Sequence, residues 1–178
     1  GDDLSNYFHT LYRRNVRGCN CVGRPVRGAH FLDLIPDLIP DKMYRLQMET
    51  YGMGDHNAAD VGQTTNSSML RAEGWMQLEH SVTYGCPPPS GDLWEGVYQD
   101  DHRAVQTAPS HLLRATNTGL LDETIGNEIN AVYERHGLQC HAEKGFRQAL
   151  QFEAWGAFLH GLRKEVSWNP QKRHLLSY

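Results

Sequence analysis

The chain has 178 residues, a formal net charge of −4 with ten histidines, 39% hydrophobic and 21% charged residues. That is the length of one ordinary domain and a globular composition, not a disordered or membrane one. The apolar runs fall far short of the roughly 18–20 residues that cross a bilayer, and no charged start followed by an apolar segment suggests a signal peptide. An intracellular chain, cytoplasmic or nuclear, with no membrane contact and no secretion, is expected. The total charge does not advertise nucleic-acid binding. Arg13, Arg14, Arg17, Arg24 and Arg27 nevertheless fall in one stretch without an intervening acid, and Arg163, Lys164, Lys172 and Arg173 crowd the C-terminal end. Each cluster reads as solvated surface or as a place to meet phosphates. Cys19, Cys21, Cys86 and Cys140 form no pairs at zinc-finger spacing and read as free or buried thiols.

In chain order, Leu4, Phe8, Leu11 and Tyr12 have helical spacing with Ser5 as N-cap. Asp2 reads as a solvated neighbour. Gly18 to Leu34 reads as a hairpin or a pair of short strands. "DLIPDLIPD" (Asp33 to Asp41) reads as a proline-punctuated loop. Met43 to Gly52 alternates as a strand does, and Gly52 and Gly54 turn into a helix from about Asn57 to Glu79. Three consecutive prolines make Tyr84 to Asp92 a loop. A strand around Leu93 to Tyr98, an Asp100-Asp101 turn and a second strand through Ala104 and Val105 follow. Helical sequence from about Ser110 to His136 carries Ile125, Ile129, Val132 and Tyr133 on one face and ends at Gly137 as a C′ glycine. From Leu138 onward, short strand candidates such as "LQFEAWGAFL" mix with turns. The order is α+β, with no repeating βαβ array.

Asp100-Asp101 at a strand-turn-strand corner has two readings. Asp caps backbone groups in ordinary turns. Adjacent carboxylates at a rigid corner, joined by a third, also hold two divalent metals that polarise a phosphoryl group and lower the pKa of an attacking hydroxyl.

Further stretches in a fixed order bear on that choice. "DLSNYFH" (Asp3 to His9), "YGMGDHNAADVGQ" (Tyr51 to Gln63), "YQDD" (Tyr98 to Asp101), "GLQCHAEKGF" (Gly137 to Phe146) and "LQFEAWGAFLHGLRKEVSWNPQK" (Leu150 to Lys172) resemble successive motifs of the reverse transcriptase palm, particularly that of long-terminal-repeat retroelements. The resemblance runs from near residue 3 to near residue 172. It implies one palm domain over 1–178, a small antiparallel sheet backed by helices, with fingers and thumb largely missing and an extended helix and Pro-rich loop insertion at about 64–93.

The resemblance also implies roles. Asp3 and Asp100 would bridge two Mg2+ or Mn2+ ions, with Asp101 supporting them and the Leu4 carbonyl facing a metal. Phe8 would be the gate beneath the incoming sugar, favouring deoxynucleotides. Met53, Gly54 and Gln63 would lie beside the nucleotide, and Lys144 would donate a proton to departing pyrophosphate. Trp155 and Gly156 would grip the primer. The implied activity is RNA-directed DNA polymerisation on an RNA or DNA template with a primer and deoxynucleoside triphosphates. The implied setting is the rest of a retroelement polyprotein.

The chain departs from the family where Gln99 replaces a small or apolar residue and where the connection after Gln63 is long. A second reading is therefore a catalytically inactive palm-like remnant that binds nucleic acid or protein. An unrelated two-metal phosphodiesterase is a third, without its specific motif.

Overall fold

The computed structural model describes residues 1–13, 21–52, 55–109, 111 and 121–168. Among them the fold is α+β, with small antiparallel sheets and three α-helices. The chain divides into two compact units, one of Gly1–Ser5 with Asp60–Tyr178 and one of Asn6–Ala59. No helix among the described residues is long and apolar enough to cross a membrane.

The larger unit is built on a three-stranded sheet in the order β1-β5-β4, from β1 (Asp2–Asp3), β4 (Leu93–Tyr98) and β5 (Asp101–Gln106). Strand alternation explains its two faces. Glu95, Val97 and His102 are buried on one face, whereas Trp94 and Tyr98 are exposed on the other. Helices α2 (Ala58–Ala72) and α3 (Leu121–Arg135) back the buried face. The apolar stripe read from the sequence is the core: Ile125, Ile129, Val132 and Tyr133 are each at most 2% exposed, as is Leu70 of α2. Both helices end in a Schellman arrangement. Gly74 N–H donates to the Arg71 carbonyl and Trp75 N–H to that of Leu70, and Gly137 and Leu138 donate likewise to Glu134 and Tyr133. Gly74 and Gly137 take φ 92° and 72°, which glycine adopts without Cβ strain.

The free edge of β4 is covered by residues 80–82. Glu95 N–H donates to the His80 carbonyl (2.8 Å), and Val82 N–H donates to the Glu95 carbonyl (2.7 Å). An uncovered edge would invite pairing with another chain. A second antiparallel sheet joins β6 (Gln151–Ala154), β7 (Ala157–His160) and β8 (Glu165–Trp168) in sequence order.

The smaller unit holds α1 (Tyr7–Thr10) and an antiparallel ribbon of β2 (Cys21–Arg27) and β3 (Met43–Gln47). A 3-10 turn, Gly28–Phe31, and the loop of Asp33 to Asp41 connect the two strands. Residues 11–13 pair with 49–51 through the Tyr12–Thr50 bridge.

Four expectations change. The helix expected from Leu4 is only Tyr7–Thr10, and Ser5 is not its cap, because Leu4 bridges Cys140 and Ser5 N–H donates to the Gln139 carbonyl (2.7 Å). Pairing across the sheet outcompetes local helical spacing there. Asp2 is not solvated; it is 2% exposed within β1. β2 does not fold back within Gly18 to Leu34 but pairs with β3 beyond the proline loop. The helix expected to reach Glu79 stops at Ala72, where Gly74 terminates it. Of the helix expected from Ser110, residues 110 and 112–120 lie outside the described residues.

Ile129→Ala removes a side chain with no exposed surface from the centre of α3. It is expected to lower stability by about 2–5 kcal/mol in a denaturant titration. Leu162→Ala, 61% exposed, should change it by less than about 0.5 kcal/mol. Equal effects would sink this placement of the core.

Candidate active site

Asp3, Asp100 and Asp101 converge through backbone pairing. β1 lies beside β5 with Asp3 opposite Asp101 and Asp2 opposite His102. Asp100 occupies the loop between β4 and β5, where Tyr98 pairs with Asp101, and its carbonyl accepts from Leu4 N–H at 3.1 Å. On its other side the first strand is held by the segment after α3. His141 N–H donates to the Asp3 carbonyl (2.7 Å), and Phe146 N–H donates to the Gly1 carbonyl (3.0 Å).

Alternation then separates two neighbouring acids. Asp2 turns inward, where its Oδ1 accepts from Arg147 at 2.8 Å. The Asn130 amide on α3, oriented with its nitrogen to Asp2 and its oxygen to Arg147, makes both contacts at 3.0 Å. Arg147 crosses α3 at Gly126, where an added Cβ would come within 2.1 Å of the guanidinium. Asp3 turns to the open face, where Lys144 Nζ donates to its Oδ2 at 3.0 Å. Arg103 donates to Asp101 Oδ1 (3.1 Å) and to the Asp2 carbonyl (2.6 Å), and its guanidinium lies 5.3 Å from the Phe146 ring centroid.

The electrostatics follow from three acids on one half-buried face. Burial, then the charge of Asp3, raises the Asp100 carboxyl above its ordinary 3.8. Asp101 is raised by burial and by Asp3 and Asp100, against the pull of Arg103. Lys144 is raised by its hydrogen bond to Asp3 and by the three carboxylates around it. Burial and Asp2 push the Cys140 thiol to about 11, so it stays protonated near neutrality.

Carboxylate oxygens suit Mg2+ or Mn2+, and the carboxyls of Asp100 and Asp101 are raised mainly by burial, with the neighbouring acids adding to it. The donor chemistry suits such ions, but the side-chain arrangement does not form a site for them. The side chains now face Lys144 and Arg103, and no trio of His, Cys, Asp or Glu among the described residues is gathered as a ligand set.

Gln63, expected beside a nucleotide, spends its amide on the hairpin. Its Oε1 accepts from Gln99 N–H (2.7 Å) and its Nε2 donates to the Val97 carbonyl (2.9 Å). Trp155 and Gly156 form the two-residue tip between β6 and β7, with φ 50° and 84°. The Trp155 indole lies on Gly96 of β4, where an added Cβ would come within 2.3 Å of the ring. Phe8 belongs to the smaller unit, its ring 5.8 Å from that of the buried Tyr7. Met53 and Gly54 lie outside the described residues.

Asn66, Glu95, His102, Arg103 and Arg147 shape this region without having been singled out from the sequence, and Asp2 does so against its reading as solvated. Parity was the available signal for two of them. Glu95 and His102 share the inward face with Val97 and are 2% and 1% exposed, with His102 Nε2 3.4 Å from Glu95 Oε1.

A carboxyl raised by folding stabilises the fold fully below its unfolded pKa, and that contribution is lost as pH climbs through the folded value. Asp100→Asn should therefore raise the thermal midpoint at pH 7, by about 1–3 °C for a screened, half-exposed group. The gain should vanish below pH 3.8, the ordinary value for this carboxyl. An unchanged or lower midpoint at pH 7 would contradict a strained carboxylate face. No protein-family model, curated protein or solved structure matches this chain.

Proposed function

We propose that the larger unit is the palm of an RNA-directed DNA polymerase, which adds deoxynucleotides to a primer 3′-hydroxyl on an RNA or DNA template. The observation that carries this reading is the pairing of Asp3 with Asp101 beside the Asp100 loop. Two segments remote in sequence thereby bring Asp3 and Asp101 together on one sheet face, with Asp100 in the adjoining loop. The helices behind that sheet, Lys144 on Asp3 and the Trp155-Gly156 hairpin against Gly96 add support.

In this reading the primer oxygen bonds to the α-phosphorus of the nucleoside triphosphate as the bond from that phosphorus to pyrophosphate breaks. The hydroxyl proton passes to solvent, and pyrophosphate takes one up from Lys144. Mg2+ or Mn2+ ions held by Asp3, Asp100 and Asp101 would supply charge neutralisation at the phosphoryl group and a lowered hydroxyl pKa. Lys144, kept protonated by Asp3, holds a proton next to the reacting face and gives it to the leaving group once released from that carboxylate. Arg103 keeps Asp101 oriented and offsets part of the upward push that burial gives its carboxyl. Trp155, which is 43% exposed, would meet the primer end. Roles for Phe8, Met53 and Gly54 toward the incoming nucleotide, and the setting of a longer retroelement polyprotein, rest on the sequence resemblance alone.

Primer extension on the full chain, with an RNA template, DNA primer, deoxynucleotides and Mg2+ or Mn2+, tests the proposal. Asp3→Asn and Asp100→Asn should each lower the rate by at least about 100-fold. Absent extension, or extension unchanged by Asp100→Asn, would reject the polymerase and leave the non-catalytic binding remnant.

A further inference from the structure

The tip of the β4–β5 hairpin is a two-residue loop, Gln99 and Asp100, closed by the Tyr98–Asp101 pair. Gln99 has φ 55°, the left-handed region. Residues with a Cβ enter that region at a conformational cost and stay there when their surroundings over-determine it. Glycine needs no such help.

Here the surroundings are specific. Gln63 Oε1 accepts from the Gln99 N–H at 2.7 Å, and Asn66 Nδ2 donates to the Gln99 carbonyl at 2.9 Å. Gln63 and Asn66 are one helical turn apart on α2, so one helix face reaches both backbone groups of a single residue. Each amide is anchored at its other end. Gln63 Nε2 donates to the Val97 carbonyl (2.9 Å) and to Ser67 Oγ (3.2 Å), and Asn66 Oδ1 accepts from the Tyr133 hydroxyl of α3 (3.1 Å). Asn66 and Tyr133 have no exposed surface. A buried polar network with its members bonded is rigid, and a half-satisfied one is costly. Asp100, the next residue, is fixed by its carbonyl's bond from Leu4 N–H.

We infer that Gln63 and Asn66, with Tyr133 behind them, are positioning residues. They hold Gln99 left-handed and so aim the Asp100 carboxylate at the face it shares with Asp3. The clamp grips backbone and consumes the Gln63 amide, so Gln63 acts through the loop and not on a nucleotide. This inference rests on the polymerase reading only for what Asp100 does once aimed. The holding of the loop is independent of it.

Glycine rescue separates a clamp from ordinary helix-to-sheet packing. In the metal-free full chain, Gln63→Leu should leave the NMR signals of α3 in place while those of Tyr98 to Asp101 broaden by exchange. Adding Gln99→Gly to Gln63→Leu should sharpen them again, since glycine holds φ 55° unaided. In primer extension, Gln63→Leu should lower kcat at least tenfold with the nucleotide KM unchanged, and the double variant should return to within threefold of the parent. If Gln63→Leu does not fold, Tyr133→Phe removes only the hydroxyl behind Asn66 and should give a weaker broadening that Gln99→Gly also reverses. A tip that stays sharp in these variants, or broadening that glycine fails to reverse, overturns the clamp. Broadening and rescue in a protein that extends no primer upholds the clamp and rejects the polymerase.

Discussion

The buried pairing of Asp2 with Arg147 is the constraint on which the open face depends. A carboxylate at 2% exposure is tolerated only beside a compensating charge and hydrogen bonds. Arg147 supplies the charge through Oδ1, and its second nitrogen spans the carbonyls of Gly1 and Phe146. That span ties the segment after α3 to the first strand. The same segment then delivers Lys144 to Asp3 and Phe146 to the Arg103 guanidinium. Gly126 is part of the arrangement, because any side chain there would occupy the space of Arg147. Removing one partner of such a pair strands the other charge in the interior, typically at about 3–5 kcal/mol.

Much of this was legible in residue patterns. The α3 stripe, its glycine stop, the proline loops and the Asp-bearing hairpin all follow from periodicity and turn chemistry, which act locally. The brief pairing of residues 1–5 did not follow, because a strand of two residues has no period and its partners in the sheet, His102 and Asp101, lie far along the chain. For the same reason Leu4 looked helical and Asp2 looked solvated. Inward Glu95 and His102 were readable from their parity with Val97, but acid and histidine in a strand suggest an outward face until the pairing is known. Gln63 illustrates a different gap. A motif position names a residue, and its amide is bidentate wherever it goes, so only geometry reveals that it is spent on Val97 and Gln99.

Two elements of the candidate site oppose the stability of the fold. Gln99 carries a side chain in a left-handed conformation, and Asp100 and Asp101 are carboxylates whose ionised forms folding disfavours. Strain of both kinds concentrates where a structure serves something other than its own stability. The hydrogen-bonded amides of α2 offset the first, and Lys144 and Arg103 offset part of the second.

These two basic residues give the face two electrostatic states. With Lys144 on Asp3 and Arg103 on Asp101, two of the three acids have a counterion within the protein. A divalent cation binding the same oxygens must compete with an exposed lysine and a largely buried arginine, at 57% and 11% side-chain exposure. Displacing Lys144 returns a long side chain to water at little cost. Displacing Arg103 would unsatisfy a guanidinium that also serves the carbonyls of Asp2 and His102. Asp3 therefore has the counterion that is easier to displace, and Asp101 the one that is harder to displace.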